Sequence, residues 1–198
     1  MTRAEQHGAS AASTVRLLSL QSFEHERGSP INAAELTQID AIFFAASNTQ
    51  QFADERERSA FHERWLGRYL DRYREHFFLA LGPEGRVIGY LAGCLHDPAH
   101  QPLFSDIGYF AILSDLTKHY PAHLHINLDA DWRSRGVGAR LIEAFCAHAA
   151  AAGSPGVHVV TGAPSRNVGF YQRTGFHQLR SFDWNNSRLV LLARRLAT

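Results

Sequence analysis

The stretch Arg133-Ser134-Arg135-Gly136-Val137-Gly138 sets two glycines among closely spaced arginines, and Arg140 follows two residues on. It lies between an alternating polar and apolar run, His123 to Leu128, and a pattern in which Val137, Leu141, Phe145 and Ala149 recur every four residues. A helix that starts after a strand in this way presents backbone N–H groups with no partner inside the helix. Its aligned peptide dipoles add partial positive charge at the same end. Gly136 and Gly138 let an anion approach the backbone, and Arg133, Arg135 and Arg140 can add charge-assisted hydrogen bonds. The chemistry that fits is the binding of a diphosphate. A dinucleotide fingerprint would need a third glycine where Leu141 stands, and a Walker A loop would need Gly-Lys-Ser or Gly-Lys-Thr, which is absent. The competing reading is a plain strand-to-helix turn with surface arginines.

The elements that must position this loop follow from periodicity. Val15 to Leu20 reads as a short strand. Asn32 and Glu35 form a capping-box pattern ahead of a helix over 33–46. Phe61, Trp65, Leu66, Tyr69, Leu70 and Tyr73 form the apolar stripe of a second helix, with Arg64 and Arg68 off the stripe on a solvated face. Phe77–Leu81 and Val87–Leu95 flank the turn residues Gly82-Pro83-Glu84-Gly85 and form a hairpin. A long connection spans 96–121, and its Phe104, Tyr109 and Phe110 either wall an acceptor site or pack the connection onto the sheet. His123–Leu128 is a strand with Leu124, Ile126 and Leu128 on one face. The helix over 136–152 stops at Gly153, and a strand over 157–161, a short helix over 166–173 and closing strands over 176–179 and 189–192 follow. The fold class is mixed α/β (α+β), with a partly antiparallel sheet of about six to seven strands flanked by helices.

The 198 residues suit one domain over 14–198 after a disordered tail over 1–13. Twenty basic against 19 acidic residues argue against a nucleic-acid partner. Cys94 and Cys146 give no disulfide framework, and the first apolar run is too short for a signal peptide or a membrane span. The expectation is a cytoplasmic protein without a membrane partner. Among the 12 histidines, His119, His123 and His125 cluster, but no carboxylate or cysteine spacing completes a ligand set, so no metal is expected.

Arg133, Gly136 and Gly138 match the R/Q-x-x-G-x-G/A motif, and Phe170-Tyr171-Gln172-Arg173-Thr174-Gly175-Phe176 looks like an F-Y-x-x-x-G-F segment at the expected distance. In both respects the chain resembles the GNAT superfamily of N-acetyltransferases. Tyr120-Pro121-Ala122-His123-Leu124-His125-Ile126 is also similar to bacterial relatives of the acetyltransferase-like domain of O-GlcNAc hydrolase. The resemblance implies a sheet splayed between its fourth and fifth strands and acetyl-coenzyme A as the donor substrate. It places the pyrophosphate at Arg133, Arg135, Gly136, Val137, Gly138, Ala139 and Arg140, and the pantetheine arm along the backbone from Ile126 to Leu128. Many family members carry an Asn where this chain has Pro164, so Asn167, four residues before Tyr171, is the candidate coenzyme A ligand here.

The activity implied is direct transfer of an acetyl group to a primary amine in a ternary complex. Such a transfer needs a neutral amine, a stabilised oxyanion and a proton for the departing thiolate. Tyr171 is the candidate acid, against a reading as half of a Phe170–Tyr171 packing pair. His125, ahead of His123, is the candidate base, with Asp129, Asp106 and a water chain as rivals and simple packing as the alternative. The expected partner is a small-molecule or protein amine, and a homodimer is compatible with the chain. The rival from another class is a non-catalytic module that binds acetyl-coenzyme A or a peptide.

Overall fold

The computed structural model describes residues 15–163 and 165–197. The expected tail over 1–13, and Pro164, lie outside the described residues. In chain order the first elements are β1 (Arg16–Ser19), α1 (Leu20–Arg27), α2 (Ala33–Ala46), α3 (Glu55–His62), α4 (Arg68–Arg72), β2 (Phe77–Leu81) and β3 (Val87–Cys94). Then come α5 (Tyr109–Ile112), α6 (Ser114–Thr117), β4 (Ala122–Leu128), α7 (Val137–Ala151), β5 (Gly156–Gly162), α8 (Arg166–Arg173), β6 (His177–Trp184) and β7 (Ser187–Arg195). The strands follow the order β1-β2-β3-β4-β5-β7-β6 in a mixed, partly antiparallel sheet, as the patterning predicts. Two compact units divide the chain. Among the described residues, one takes those up to Ala92 with Ile126–Ala144, and the other takes Gly93–His125 with those from Phe145 onward.

In the first unit, the predicted strand over Val15–Leu20 ends at Ser19. The Ser19 hydroxyl accepts the Ser22 N–H at 3.0 Å and opens α1, which stops at Gly28 with φ 71°. The sequence reading lacks this helix because LQSFEHER carries little apolar periodicity, and its buried anchor is Leu20 alone. The capping box of α2 forms as expected: Asn32 Oδ1 accepts the Glu35 N–H at 2.9 Å, and Glu35 Oε2 accepts the Asn32 N–H at 2.8 Å. The second predicted helix is interrupted by a π-helical turn, Glu63–Gly67, between α3 and α4. The wider turn rotates the stripe, so Arg68, expected on the solvated face, is only 5% exposed. β2 and β3 form the predicted hairpin, and β1 pairs antiparallel with β2. The end of β4 lies close to β3. The Asp129 N–H donates to Ile88 O at 2.9 Å, and a Cβ at Gly89 would collide with Leu128 and stand 2.9 Å from Asn127 O. Only glycine permits that approach.

In the second unit, the connection over 96–121 is folded into 3₁₀ turns at Pro98–His100 and Pro102–Phe104, followed by α5 and α6. Its aromatics pack it down: Phe104 and Phe110 are buried against His123, and Tyr109 meets Phe182 and Trp184. The start of β4 runs parallel to β5, in register at Ala122↔Val157 and His123↔His158. Both strands continue while the ladder ends there, which is consistent with the expected splay. β5 pairs antiparallel with β7, and β7 with β6. These last strands are longer than predicted. Asn185 (φ 47°) and Asn186 (φ 61°) form a two-residue turn with both central residues at positive φ, whose twist matches a tight hairpin and extends both arms.

Candidate functional site

The glycine loop belongs to the first unit and is braced before it begins. Asp129 Oδ1 accepts the Asp131 N–H at 3.0 Å, its backbone oxygen accepts the Trp132 N–H at 3.0 Å, and its other carboxylate oxygen pairs with Arg86 at 2.5 Å. Asp129, a rival for the base, is therefore held in an ion pair. Ser134 and Gly136 then adopt φ 60° and 79°, and Gly136 O accepts the Arg140 N–H at 3.1 Å, making Gly136 the helix cap. A Cβ at Gly136 would meet nothing within 4 Å, so the left-handed backbone, not crowding, demands glycine. Among the described residues, no backbone N–H from Ser134 to Ala139 has a hydrogen-bond acceptor. Gly136 is exposed, while Val137 and Gly138 are buried at the start of α7.

The three arginines differ. Arg133 is half-buried, and its Nε donates to Leu128 O at 3.2 Å. Arg140 donates through Nη2 to Val15 O at 3.0 Å, which directs it toward β1. Arg135 is exposed, with its guanidinium carbon 5.4 Å from the centre of the Trp132 ring. Ile126 and Leu128 are half-buried on β4, and Asn127 between them donates through Nδ2 to the Tyr90 hydroxyl at 2.8 Å. Burial pushes the Tyr90 phenol up, the Asn127 hydrogen bond pulls it down, and the Asp40 carboxylate adds to the rise. Neither Trp132 nor Asn127 stands out in the sequence reading. The aromatic ring beside the first motif arginine is the one signal that could have marked Trp132.

The titratable candidates belong to the second unit. His123 is 3% exposed, with ring centroids 4.7 Å from Phe104, 5.7 Å from Phe110 and 5.6 Å from His158. It shares a strand face with His125, and the connection covers it. Desolvation holds its imidazole well below the ordinary value, and His158 and His125 push the same way. His158 Nδ1 lies 2.5 Å from Tyr120 O; a carbonyl only accepts, so Nδ1 carries the hydrogen and Nε2 is a bare acceptor. That Nε2 is buried without a hydrogen-bond partner among the described residues, and burial depresses His158 to about 4. His125, next but one along β4, is half-buried.

Tyr171 is 7% exposed on α8, with its ring between Phe170 at 5.2 Å and Phe176 at 5.6 Å. Desolvation raises its phenol, so it keeps its proton at neutral pH. Asn167 lies one turn earlier on the same helix and is exposed. Among the described residues no cluster of three or more His, Cys, Asp or Glu side chains could hold a metal. No helix among them is long and apolar enough to cross a membrane.

A family model described as the acetyltransferase (GNAT) domain matches residues 73–178, a span that contains both motifs. The chain belongs to the GNAT acetyltransferase family. The fold agrees with solved GNAT-like structures at low sequence identity. A protein named SsHAT is 20% identical with a TM-score of 0.70, over 93% of this chain and all of its own. A variant of an agmatine N-acetyltransferase in its apo form is 14% identical at 0.61, over 92% of this chain and 100% of its own. The NatC complex bound to Gag peptide and CoA is 12% identical at 0.60, over 92% and 99%. Within this GNAT chain the motif loop and the Tyr171 segment both fall inside the matched span, whereas α2 and α3 precede it.

Proposed function

We propose that the protein is an acetyl-coenzyme A-dependent N-acetyltransferase that moves an acetyl group to a primary amine by direct transfer in a ternary complex. The observation that carries this reading is the run of unpartnered amides from Ser134 to Ala139 at the head of α7, in a chain that matches the GNAT domain. Those amides, above all of Gly136, Val137, Gly138 and Ala139, together with Arg133 and Arg135, suit a pyrophosphate. Arg140 already gives one of its donors to Val15 O. The backbone from Ile126 to Leu128 takes the pantetheine arm, and Asn167 adds a polar contact. Bound acetyl-coenzyme A supplies the activated thioester.

Tyr171 protonates the departing sulfur, and its raised phenol suits it to keep that proton until the thiolate forms. His125 removes the proton of the attacking amine. His123 is unsuited to that task, since its neighbours leave it buried and hard to charge. The acceptor is a small-molecule or protein amine, and we place the enzyme in the cytoplasm, with a homodimer compatible with the reading. The agmatine and NatC relatives in fold make amines reasonable first substrates to screen.

The test is thiol release from acetyl-coenzyme A across an amine panel, comparing wild type with Tyr171→Phe and His125→Ala. Tight binding of acetyl-coenzyme A without thiol release on any amine would turn the reading into a non-catalytic binding module. Unchanged calorimetric binding by Arg133→Glu would overturn the donor site itself.

A further inference from the structure

The loop arginines divide by what holds them. Arg133 and Arg140 each give a donor to a backbone carbonyl, Leu128 O and Val15 O. Arg135 is held by the face of Trp132, with Cζ 5.4 Å from the ring centre, and makes no hydrogen bond among the described residues. A guanidinium over an aromatic ring is attracted by the ring's quadrupole, and this contact uses up none of its N–H donors, which stay available for a bidentate partner. An arginine free in solvent loses side-chain entropy when it binds an anion, and a stacked one has already lost part of it.

Trp132 is itself fixed. Its backbone N–H donates to Asp129 O at 3.0 Å, and its ring lies so close to the β2–β3 hairpin that a Cβ at Gly82 would stand 3.4 Å from Cζ2. The same hairpin is fastened to the loop through Arg86 and Asp129 at 2.5 Å. A braced ring thus stands at the entrance to the loop, with the Arg135 cation over it and a run of unpartnered amides directly beyond.

We propose that Trp132 is a positioning residue that presents the donor edge of Arg135 to a phosphate group of the donor nucleotide, so that the two residues act as one unit. This rests on the reading of the loop as a coenzyme A site. The phosphate is either the diphosphate or the 3′-phosphate of coenzyme A, and the binding experiment separates the two.

Calorimetric affinity for coenzyme A and for dephospho-coenzyme A is measured on the full chain for wild type, Trp132→Ala, Trp132→Phe, Arg135→Ala and the double variant Trp132→Ala/Arg135→Ala. Arg135→Ala is expected to weaken coenzyme A binding roughly tenfold or more, the scale of a charge-assisted hydrogen bond. Trp132→Ala is expected to weaken it about two- to fivefold, the scale of an exposed cation–π contact, and Trp132→Phe less. With Arg135 already removed, Trp132→Ala costs nothing further. A structural role for the tryptophan would not produce that dependence. If the Arg135→Ala loss disappears with dephospho-coenzyme A, the partner is the 3′-phosphate; if it persists, the partner is the diphosphate. Equal losses from Trp132→Ala with and without Arg135, or no loss at all, overturn the proposal. Thermal melts show whether Trp132→Ala is folded, and if it is not, Trp132→Phe and Trp132→Leu carry the same cycle. Wild type that binds no coenzyme A would instead overturn the donor-site reading, with this proposal falling alongside it.

Discussion

Two regions of this molecule solve the problem of placing polar groups in opposite ways. The loop from Asp129 to Arg140 keeps its donors on the backbone, with side chains that mostly brace it: Asp129 holds Arg86, and Arg133 and Arg140 hold carbonyls. The packing around His123, His158 and Tyr171 keeps its polar groups on side chains and buries them among Phe104, Phe110, Phe170 and Phe176. A backbone site needs only the right φ values and a helix start, so it tolerates exposure and survives in a short motif. A side-chain site takes its protonation behaviour from whatever covers it, and the cover comes from distant segments.

The largest expected effect tests the side-chain region. If Tyr171 donates the proton to sulfur, Tyr171→Phe lowers kcat by roughly 10²–10⁴-fold with acetyl-coenzyme A affinity nearly unchanged, as steady-state kinetics and calorimetry would show. A variant with wild-type kcat would reduce Tyr171 to a packing residue and erase the functional half of the contrast.

The next effect concerns stability. His158 sits near 4 in the folded chain because burial disfavours its charged form, against an ordinary value of 6.5. The unfolded chain takes up a proton as pH falls through 6.5 while the folded chain does not, so stability is full above that value and is lost between 6.5 and 4. The loss is about 3 kcal/mol, and His123 acts in the same direction. Denaturant melts across this range should show the slope. It should flatten in His158→Leu, which removes the titrating ring; an equal slope in that variant would move the effect elsewhere.

The backbone region predicts a different response. Gly136→Asp places a β-carbon at φ 79° and a carboxylate in the glycine loop, and if the loop holds the pyrophosphate it should weaken acetyl-coenzyme A roughly tenfold to a hundredfold in calorimetry. Acid should leave the loop's helix start untouched, since no histidine is part of it. The smallest effect is expected at Asn167, an exposed side chain on the first turn of α8. Asn167→Ala should change acetyl-coenzyme A affinity by about threefold or less, within the worth of a single exposed hydrogen bond. A loss as large as that of Gly136→Asp would show that α8 contributes more to binding than its exposure suggests.

Legibility followed the same divide. The capping box at Asn32 and Glu35, the β2–β3 hairpin, α8 and the glycine loop were readable because each is written in residues close together in the chain. Helix α1 was not, because its cap is a lone serine and its buried contact is a single leucine. The π turn that buries Arg68 has no local signature, since it depends on how the stripe meets its neighbours. The Asn185-Asn186 turn was legible in principle, two asparagines at positive φ being a known hairpin device, yet the strands beside it were read too short.

By itself the sequence determined the order of the strands and of the longer helices, the mixed sheet and the glycine loop at the head of α7, because spacing dictates which residues share a helix face and which amides open a helix. Only the tertiary structure decided that His123 is buried and His125 half-buried, that Arg140 points to β1 while Arg135 lies over Trp132, and that burial raises the Tyr171 phenol. Those properties arise from desolvation and from partners far away in the chain, and neither is encoded in the spacing of nearby residues.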